Sequence, residues 1–174
     1  IVDKEKLNFF GTSPKFLRAL EDSGYEQTQK LESLESILST GAPLLPEQFD
    51  FIYEKIKKDV CVSSISGGTD ILGCFMLGAP TRPVYRGEIQ ALGLGMDVDC
   101  FDENGSSVRD REGELVCKQS FPSRPIYFLN DKDNARMNKA YFERFPSVWH
   151  HGDFITLTSR ETVLVHGRSD TTLN

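Results

Sequence analysis

Small, hydroxyl and carboxylate residues follow one another in the segment Ser66-Gly67-Gly68-Thr69-Asp70. The two glycines allow the backbone to approach a ligand closely. The Thr69 hydroxyl and the Asp70 carboxylate are groups that can meet phosphate and Mg²⁺. We therefore take Gly68 and Thr69 as candidate cofactor-binding residues and Asp70 as a candidate metal ligand, although the same five residues could form a simple surface turn.

A second candidate is the loop that contains Gly41, Ala42 and Pro43 and follows a predicted strand. In open α/β sheets, ligands bind in the crevice outside the carboxyl ends of the strands. This position favours a ligand-binding role for the three residues. The alternative is an ordinary turn from a strand to a helix.

Two histidines and an aspartate lie close together in the segment Trp149-His150-His151-Gly152-Asp153, which invites a metal interpretation. Adjacent side chains on an extended strand point to opposite faces, so the two His rings cannot easily share one ion. We favour a different interpretation, in which the Asp153 carboxylate follows the small Gly152 and accepts two hydrogen bonds from a ribose diol.

The segment Gly167-Arg168-Ser169-Asp170 ends the last predicted strand. Arg168 offers five fixed donors that suit sugar hydroxyls or phosphate. Its alternative role is in a surface Arg–Asp pair. Asp170 lies where the chain leaves the β region, which predicts a hinge at this residue.

The elements that precede the middle of the chain predict a parallel α/β sheet. A capping Ser13 and a following proline predict a helix with Phe16, Leu17 and Leu20 on one face. The sequence then predicts a strand at 34–39, a helix that begins at Pro46 and a strand at 60–65. Such alternation of helices and strands is typical of a doubly wound parallel sheet.

After Gly73 the helical periodicity disappears, and short β-rich runs alternate with turn signals. Candidate strands span 93–101, 113–118, 154–158 and 162–166, and a short helix spans 137–145. The predicted fold class is α/β. A parallel α/β subdomain (residues 1–80) precedes an antiparallel, β-barrel-like subdomain (residues 81–168), and residues 169–174 begin a hinge to a further domain.

Composition narrows the classes of partner. The 20 Lys and Arg residues against 26 Asp and Glu give a charge of 20 − 26 = −6, which disfavours nucleic acid. The four cysteines are irregularly spaced, and no apolar run approaches the roughly 20 residues that span a bilayer. We expect a cytoplasmic protein with small-molecule partners and no membrane partner. The sequence leaves the oligomeric state open, and both ends of the chain resemble cut ends.

Taken together and in order, these segments resemble the core motifs of the acyl-adenylate-forming superfamily. The resemblance implies that Gly41-Ala42-Pro43 line the adenine and that Thr69-Asp70 correspond to a Thr-Glu pair that meets phosphate and Mg²⁺. It also implies that Asp153 and Arg168 hold the ribose and that Asp170 is the hinge. Gly113-Glu114-Leu115 match a structural Gly-Glu-Leu motif of the superfamily.

Two departures from the superfamily pattern concern the acid and the metal. Asp70 is one methylene shorter than the usual Glu, so either the ion lies closer to the backbone or a water intervenes. In members that activate acetate or propionate, a Trp occupies the position of Gly67 and shortens the pocket. Ser66 and Gly67 are therefore candidate substrate-binding residues that leave room for a longer or more polar acid. Among the branches of this superfamily, the residues of these motifs are most similar to those of the acetoacetyl-CoA synthetases.

The resemblance implies an ATP-dependent ligase that uses Mg²⁺ and CoA and activates a short keto acid through an acyl adenylate. The family's phosphate loop and its later lysine have no match in this chain, so no catalytic residue is assigned. The chain alone is expected to bind ATP or AMP weakly at most and to form no adenylate. The alternatives are a relative that activates another carboxylic acid and a non-enzymatic β-rich binding module.

Overall fold

A computed structural model describes residues 1–170, and the contacts between them divide the chain into two units. The first unit consists of Ile1–Ser66 and Met76–Ala91, and the second of Gly67–Phe75 and the described residues 92–170. The predicted division at residue 80 stays a prediction. Residues 171–174 of the predicted hinge segment lie outside the described residues.

A parallel sheet forms the centre of the first unit. After the short helix α1 (Val2–Glu5), the strands β1 (Phe9–Thr12), β2 (Ser36–Ser39) and β3 (Cys61–Ser64) pair in the order β1-β2-β3. Both pairings are parallel, and Thr12, Ser39 and Ser64 lie in register at the carboxyl ends. The predicted parallel sheet is confirmed, and β1 adds a strand that the sequence did not indicate.

Two helices pack on this sheet. Helix α2 (Pro14–Asp22) begins as predicted, because the Ser13 Oγ accepts a hydrogen bond from the Phe16 amide at 3.3 Å. Leu17 is fully buried, but Phe16 is 47% exposed, so the predicted common apolar face is wrong for Phe16. Helix α3 (Pro46–Phe51) continues into a π-helical turn at Ile52–Ile56. The core they cover contains Leu17, Leu34, Ile37, Phe49, Ile52 and Val62.

The segments β4 (Ser66–Gly68), β5 (Gly73–Leu77) and β6 (Ala91–Leu92) lie where the chain leaves one unit and enters the other. The second unit is built on β7 (Val98–Phe101), β8 (Glu112–Cys117), β9 (Trp149–Leu157) and β10 (Val163–Arg168). Their order is β10-β9-β8-β7, and every pairing is antiparallel, which confirms the predicted fold class. Helix α4 (Ala135–Tyr141) precedes β9. Among residues 1–170, no helix is long and apolar enough to cross a membrane.

A bulge interrupts β9 opposite β8. Glu114 pairs with Phe154 and Val116 pairs with His150, so one residue of β8 faces the three residues 151–153 of β9. Gly152 has a φ of +82°, a conformation that side chains rarely adopt. Bulges of this kind re-aim side chains. The predicted ribose carboxylate, Asp153, therefore belongs to a local distortion of the sheet.

Candidate functional site

The Thr69-Asp70 pair lies on a 3₁₀ turn, Thr69–Ile71, and both side chains are exposed. The turn follows Gly67, at which an added Cβ would lie 2.1 Å from the Gly73 carbonyl oxygen. Glycine at this position is thus required by a close approach of backbone to backbone. The predicted effect of Gly67 on the size of an acyl pocket stays a prediction. Ser66, which precedes it, is half-buried.

Gly68 brings this turn against the bulge of β9. An added Cβ at Gly68 would lie 2.9 Å from the His151 Cε1 and 2.1 Å from the Asp70 Oδ1. The absence of a side chain therefore allows the His151 ring and the Asp70 carboxylate both to lie close to Gly68. Gly68 and His151 are 83 positions apart in the sequence and meet within one unit.

The imidazole ring of His151 is buried. Its Nδ1 accepts a hydrogen bond from the Trp149 indole N–H at 3.3 Å, and its ring meets the Phe75 ring edge-on at 4.8 Å. Burial lowers the pKa of His151. Because Nδ1 accepts from Trp149, the neutral form of the ring carries its proton on Nε2. That Nε2 lies 3.8 Å from the Asp153 Oδ2.

His150 has different partners, because its Nε2–H donates to the Glu114 Oε2 at 2.9 Å. Adjacent histidines of the WHHGD segment thus belong to separate contacts. In the part of the chain that the structure describes, no group of three His, Cys, Asp or Glu side chains could hold a metal ion.

Asp153 is only 8% exposed. Burial raises the pKa of this carboxyl group, while the nearby His151 and Arg168 act in the opposite direction. Its Oδ1 lies 3.8 Å from the Arg168 Nη1, which is longer than a hydrogen bond. The Asp153 oxygens lie 3.8 Å from the nearest His151 and Arg168 nitrogens, so this buried carboxylate is suited to accept hydrogen bonds from a diol.

Arg168 and Asp170 form the ion pair that the sequence offered as an alternative. The Arg168 Nε donates to the Asp170 Oδ1 at 2.8 Å, and Arg168 Nη2 donates to Oδ2. These hydrogen bonds lower the pKa of Asp170 and raise that of Arg168. An added Cβ at Gly152 would lie 2.8 Å from the Arg168 Nη2, so the glycine allows the guanidinium to lie across the bulge.

Glu114, the acidic residue of the Gly-Glu-Leu motif, links three other side chains of the second unit. Its carboxylate is buried and accepts hydrogen bonds from Arg144, from His150, and from the Ser169 hydroxyl at 2.6 Å. We call these four residues the Glu114 cluster. Burial acts to raise the pKa of Glu114, but the hydrogen bonds from His150 and Ser169 and the charge of Arg144 outweigh it, so the pKa is lowered. The cluster fixes the residue that precedes Asp170.

Tyr141 was not identified from the sequence. Its hydroxyl donates to the Asp70 Oδ2 at 2.5 Å, although the two residues are 71 positions apart. The phenol ring stacks on the Trp149 indole with ring centroids 3.7 Å apart. No local motif could indicate this contact, because it depends on where α4 ends relative to β4.

The Gly41-Ala42-Pro43 segment belongs to the first unit and follows β2. Gly41 and Ala42 are exposed, and Gly41 has a φ of +91°. An added Cβ at Gly41 would meet no atom within 4 Å, so the turn conformation alone requires glycine. The loop lies at the carboxyl end of the parallel strand β2, as its sequence position predicted.

The second unit groups two carboxylates and a guanidinium around His151. Asp153, Asp70 and Arg168 are all close enough to influence the His151 ring electrostatically. A ribose diol suits the buried carboxylate and the guanidinium, and a phosphate-bound cation suits the exposed carboxylate. This arrangement is suited to binding and orientation.

No protein-family model matches the chain. The chain is 52% identical over 172 residues to an acetoacetyl-coenzyme A synthetase of Rhizobium meliloti (strain 1021), with 98% of this chain and 26% of the relative covered. The structure of an acetoacetyl-CoA synthetase from Streptomyces lividans superimposes with a TM-score of 0.89 at 41% identity, over 99% of this chain and 28% of that one.

A more distant structure, the anthranilate CoA ligase AuaEII in complex with anthranoyl-AMP, matches with a TM-score of 0.75 at 17% identity. It covers 99% of this chain and 32% of that ligase, and at this identity the likeness concerns the fold alone. The chain spans about a quarter of the length of the curated relative that it matches, since 26% of that relative is covered.

Proposed function

We propose that this chain is a segment of an ATP-dependent acid–thiol ligase. The proposal rests on its similarity, along nearly its whole length, to a segment of the acetoacetyl-CoA synthetases, which are acyl-adenylate-forming enzymes. The proposed product is acetoacetyl-CoA. The observation that supports this proposal most is the grouping of Asp70, Asp153 and Arg168 around His151 in one unit.

Each candidate residue has a proposed role in holding the nucleotide. The Asp153 carboxylate accepts from the ribose hydroxyls, and Arg168 donates to the ribose. The Thr69 hydroxyl meets phosphate beside Gly68. Gly41, Ala42 and Pro43 line the adenine, Ser66 and Gly67 line the acid, and Asp170 is the hinge.

The proposed reaction has two steps. The carboxylate of the acid attacks the α-phosphate of ATP, which gives an acyl adenylate and releases pyrophosphate; the thiol of CoA then displaces AMP. Transfers of this kind depend mainly on positioning and on neutralisation of charge. The side chains of this chain orient the ribose and the adenine, so they limit the freedom of the reacting groups.

Mg²⁺ fits the Asp70 position. This ion is commonly held by one or two carboxylates together with substrate phosphates. The exposed carboxylate of Asp70 is suited to that kind of site. When bound, the ion would neutralise charge on the phosphate oxygens.

We further propose a cytoplasmic enzyme whose partners are ATP, a short keto acid and CoA. The 174-residue chain by itself is expected to bind ATP or AMP weakly at most and to form no adenylate. Pyrophosphate release that depends on the acid, measured with this chain alone and free of longer enzyme, would contradict that expectation.

The decisive experiment is a screen of carboxylic acids in ATP–pyrophosphate exchange with the natural polypeptide at its full length. Acetoacetate is expected to support the fastest exchange. Asp153→Asn is expected to weaken ATP binding strongly. The matched control, Asp133→Asn, makes the same change on an exposed turn of the same unit and is expected to leave exchange unchanged.

The alternatives give different results in the same experiment. Exchange with a different acid would identify a relative with another substrate. A full-length polypeptide that shows no exchange with any acid, and whose nucleotide affinity is unaffected by Asp153→Asn, would support the β-rich binding module.

A further inference from the structure

The contact between Tyr141 and Asp70 links the end of α4 to the turn after β4. The Tyr141 hydroxyl donates to the Asp70 Oδ2 at 2.5 Å, within the short range of hydrogen bonds to a charged acceptor. The Tyr141 ring stacks on Trp149 at an interplanar angle of 14°, and Phe128 meets it edge-on at 5.9 Å. Because Trp149 is only 2% exposed, the phenol is held by a fixed neighbour.

A hydrogen-bond partner such as Tyr141 is needed to hold the Asp70 carboxylate in a single rotamer. The residue is exposed on a turn of three residues, where a side chain is free to change rotamer. Its Oδ1 lies beside Gly68, where an added Cβ would be only 2.1 Å away. The Tyr141 hydroxyl holds Oδ2, so the carboxylate is confined from two sides.

We propose that Tyr141 is a positioning residue that holds the Asp70 carboxylate in the orientation that receives the phosphate-bound Mg²⁺. The hydrogen bond from Tyr141 engages Oδ2 and so fixes the orientation of the carboxylate. This inference rests on the proposed function, because it takes Asp70 as the metal ligand.

The test compares Tyr141→Phe with wild type in the natural polypeptide at its full length. Phenylalanine keeps the ring that stacks on Trp149 and removes only the hydroxyl. Binding of ATP is measured by equilibrium dialysis at increasing Mg²⁺ concentration and also in EDTA. Loss of an outer-shell partner is expected to raise the Mg²⁺ concentration for half-maximal binding by roughly 10-fold, while ATP binding in EDTA changes by less than about 2-fold.

A purely structural role for Tyr141 would give a different result, because it would weaken ATP binding equally with and without Mg²⁺. Tyr127→Phe is the matched control: Tyr127 lies in the same unit, is 66% exposed, and is expected to behave as wild type. Thermal unfolding of each variant checks the fold. If Tyr141→Phe does not fold, Tyr141→Met replaces the ring by an adaptable apolar side chain and serves in the same assay.

Asp70→Asn separates the failure of this inference from the failure of the proposed function. When Asp70 is already Asn, adding Tyr141→Phe is expected to cause no further change in the Mg²⁺ concentration for half-maximal ATP binding. The reason is that Tyr141 acts only through the Asp70 carboxylate, which is then absent. If Asp70→Asn itself leaves the Mg²⁺ requirement unchanged, the metal assignment of the proposed function fails. If Asp70→Asn raises the requirement and Tyr141→Phe does not, Asp70 keeps its role and the positioning role of Tyr141 is overturned.

Discussion

Replacing Glu114 by Gln removes the charge at the centre of the Glu114 cluster and leaves its volume almost unchanged. One carboxylate oxygen accepts from Arg144, and the other accepts from His150 and Ser169. An amide has only one oxygen, so its NH₂ group must face at least one of these donors. The substitution therefore leaves at least one of these three donors without its acceptor.

The expected cost follows from these contacts. Hydrogen bonds to a charged group contribute about 1.5–3 kcal/mol each, and breaking a buried ion pair costs about 3–5 kcal/mol. Arg144 is 42% exposed and can regain water, which places the estimate at the lower end. We expect Glu114→Gln to lower the free energy of unfolding by about 3 kcal/mol at pH 7.

Urea unfolding of the 174-residue chain measures this loss. Trp149 is the only tryptophan, is 2% exposed and adjoins His150, so its fluorescence reports on the second unit. With a slope of about 2 kcal/mol per M of urea, the midpoint should fall by about 1.5 M. Glu112→Gln, an exposed change two positions earlier on β8, is the control and should change the midpoint little.

The pH dependence gives the sharper test. Since the pKa of Glu114 is lowered on folding from its ordinary 4.5, its ionised form stabilises the folded state above that pH. This stabilisation is lost as the pH falls through the lower, folded-state pKa. The difference between wild type and Glu114→Gln should thus shrink in acid. A difference below about 0.5 kcal/mol at neutral pH, or one that does not shrink in acid, would refute the reasoning.

Three further substitutions test the backbone and the cap. Gly152→Ala should cost at least about 2 kcal/mol, because it adds a clash with Arg168 to a left-handed backbone; urea unfolding followed by fluorescence measures it. Gly67→Ala should cost about 3 kcal/mol in the same assay, because the new Cβ meets the Gly73 carbonyl. Ser13→Ala should cost about 1 kcal/mol through loss of the helix cap, as followed by far-UV circular dichroism.

Each of these predictions has a matched control. Gly95 has a similar φ of +78°, but a Cβ added there would meet no atom within 4 Å, so Gly95→Ala is the control for Gly152→Ala. If both substitutions lowered the free energy of unfolding equally, no clash would contribute at Gly152. Gly11→Ala also meets no atom within 4 Å, so it should be well tolerated. A well-tolerated Gly67→Ala would contradict the close approach of the backbone. Ser13→Thr keeps the hydroxyl and should lose less stability than Ser13→Ala.

The fold could be predicted from the sequence where its signals are local. Ser13 followed by proline predicted the start of α2, and alternating apolar residues predicted β3. The strand β1 gave no such signal, because it has only four residues and includes a glycine. Phe16 was placed on the wrong face, since the helical spacing did not reveal that Leu17 is fully buried while Phe16 is 47% exposed.

The candidate site was predictable only in its individual segments. The motifs identified Asp70, Asp153 and Arg168, but their grouping around His151 depends on how β4 and β9 approach each other. Tyr141 depends on a contact over 71 positions and has no local signature. The bulge in β9 is likewise a property of the pairing with β8, and the register cannot be read from one strand.

The bulge has one further consequence, which concerns thermodynamic linkage. The Ser169 amide donates to the Gly152 carbonyl at 2.8 Å, so the residue next to the proposed hinge is bonded to the residue next to the proposed ribose carboxylate. A rotation of the chain at Asp170 that displaced Ser169 would therefore disturb the peptide that precedes Asp153. By reciprocity, nucleotide affinity and the preferred angle of the hinge must then depend on each other to the same extent.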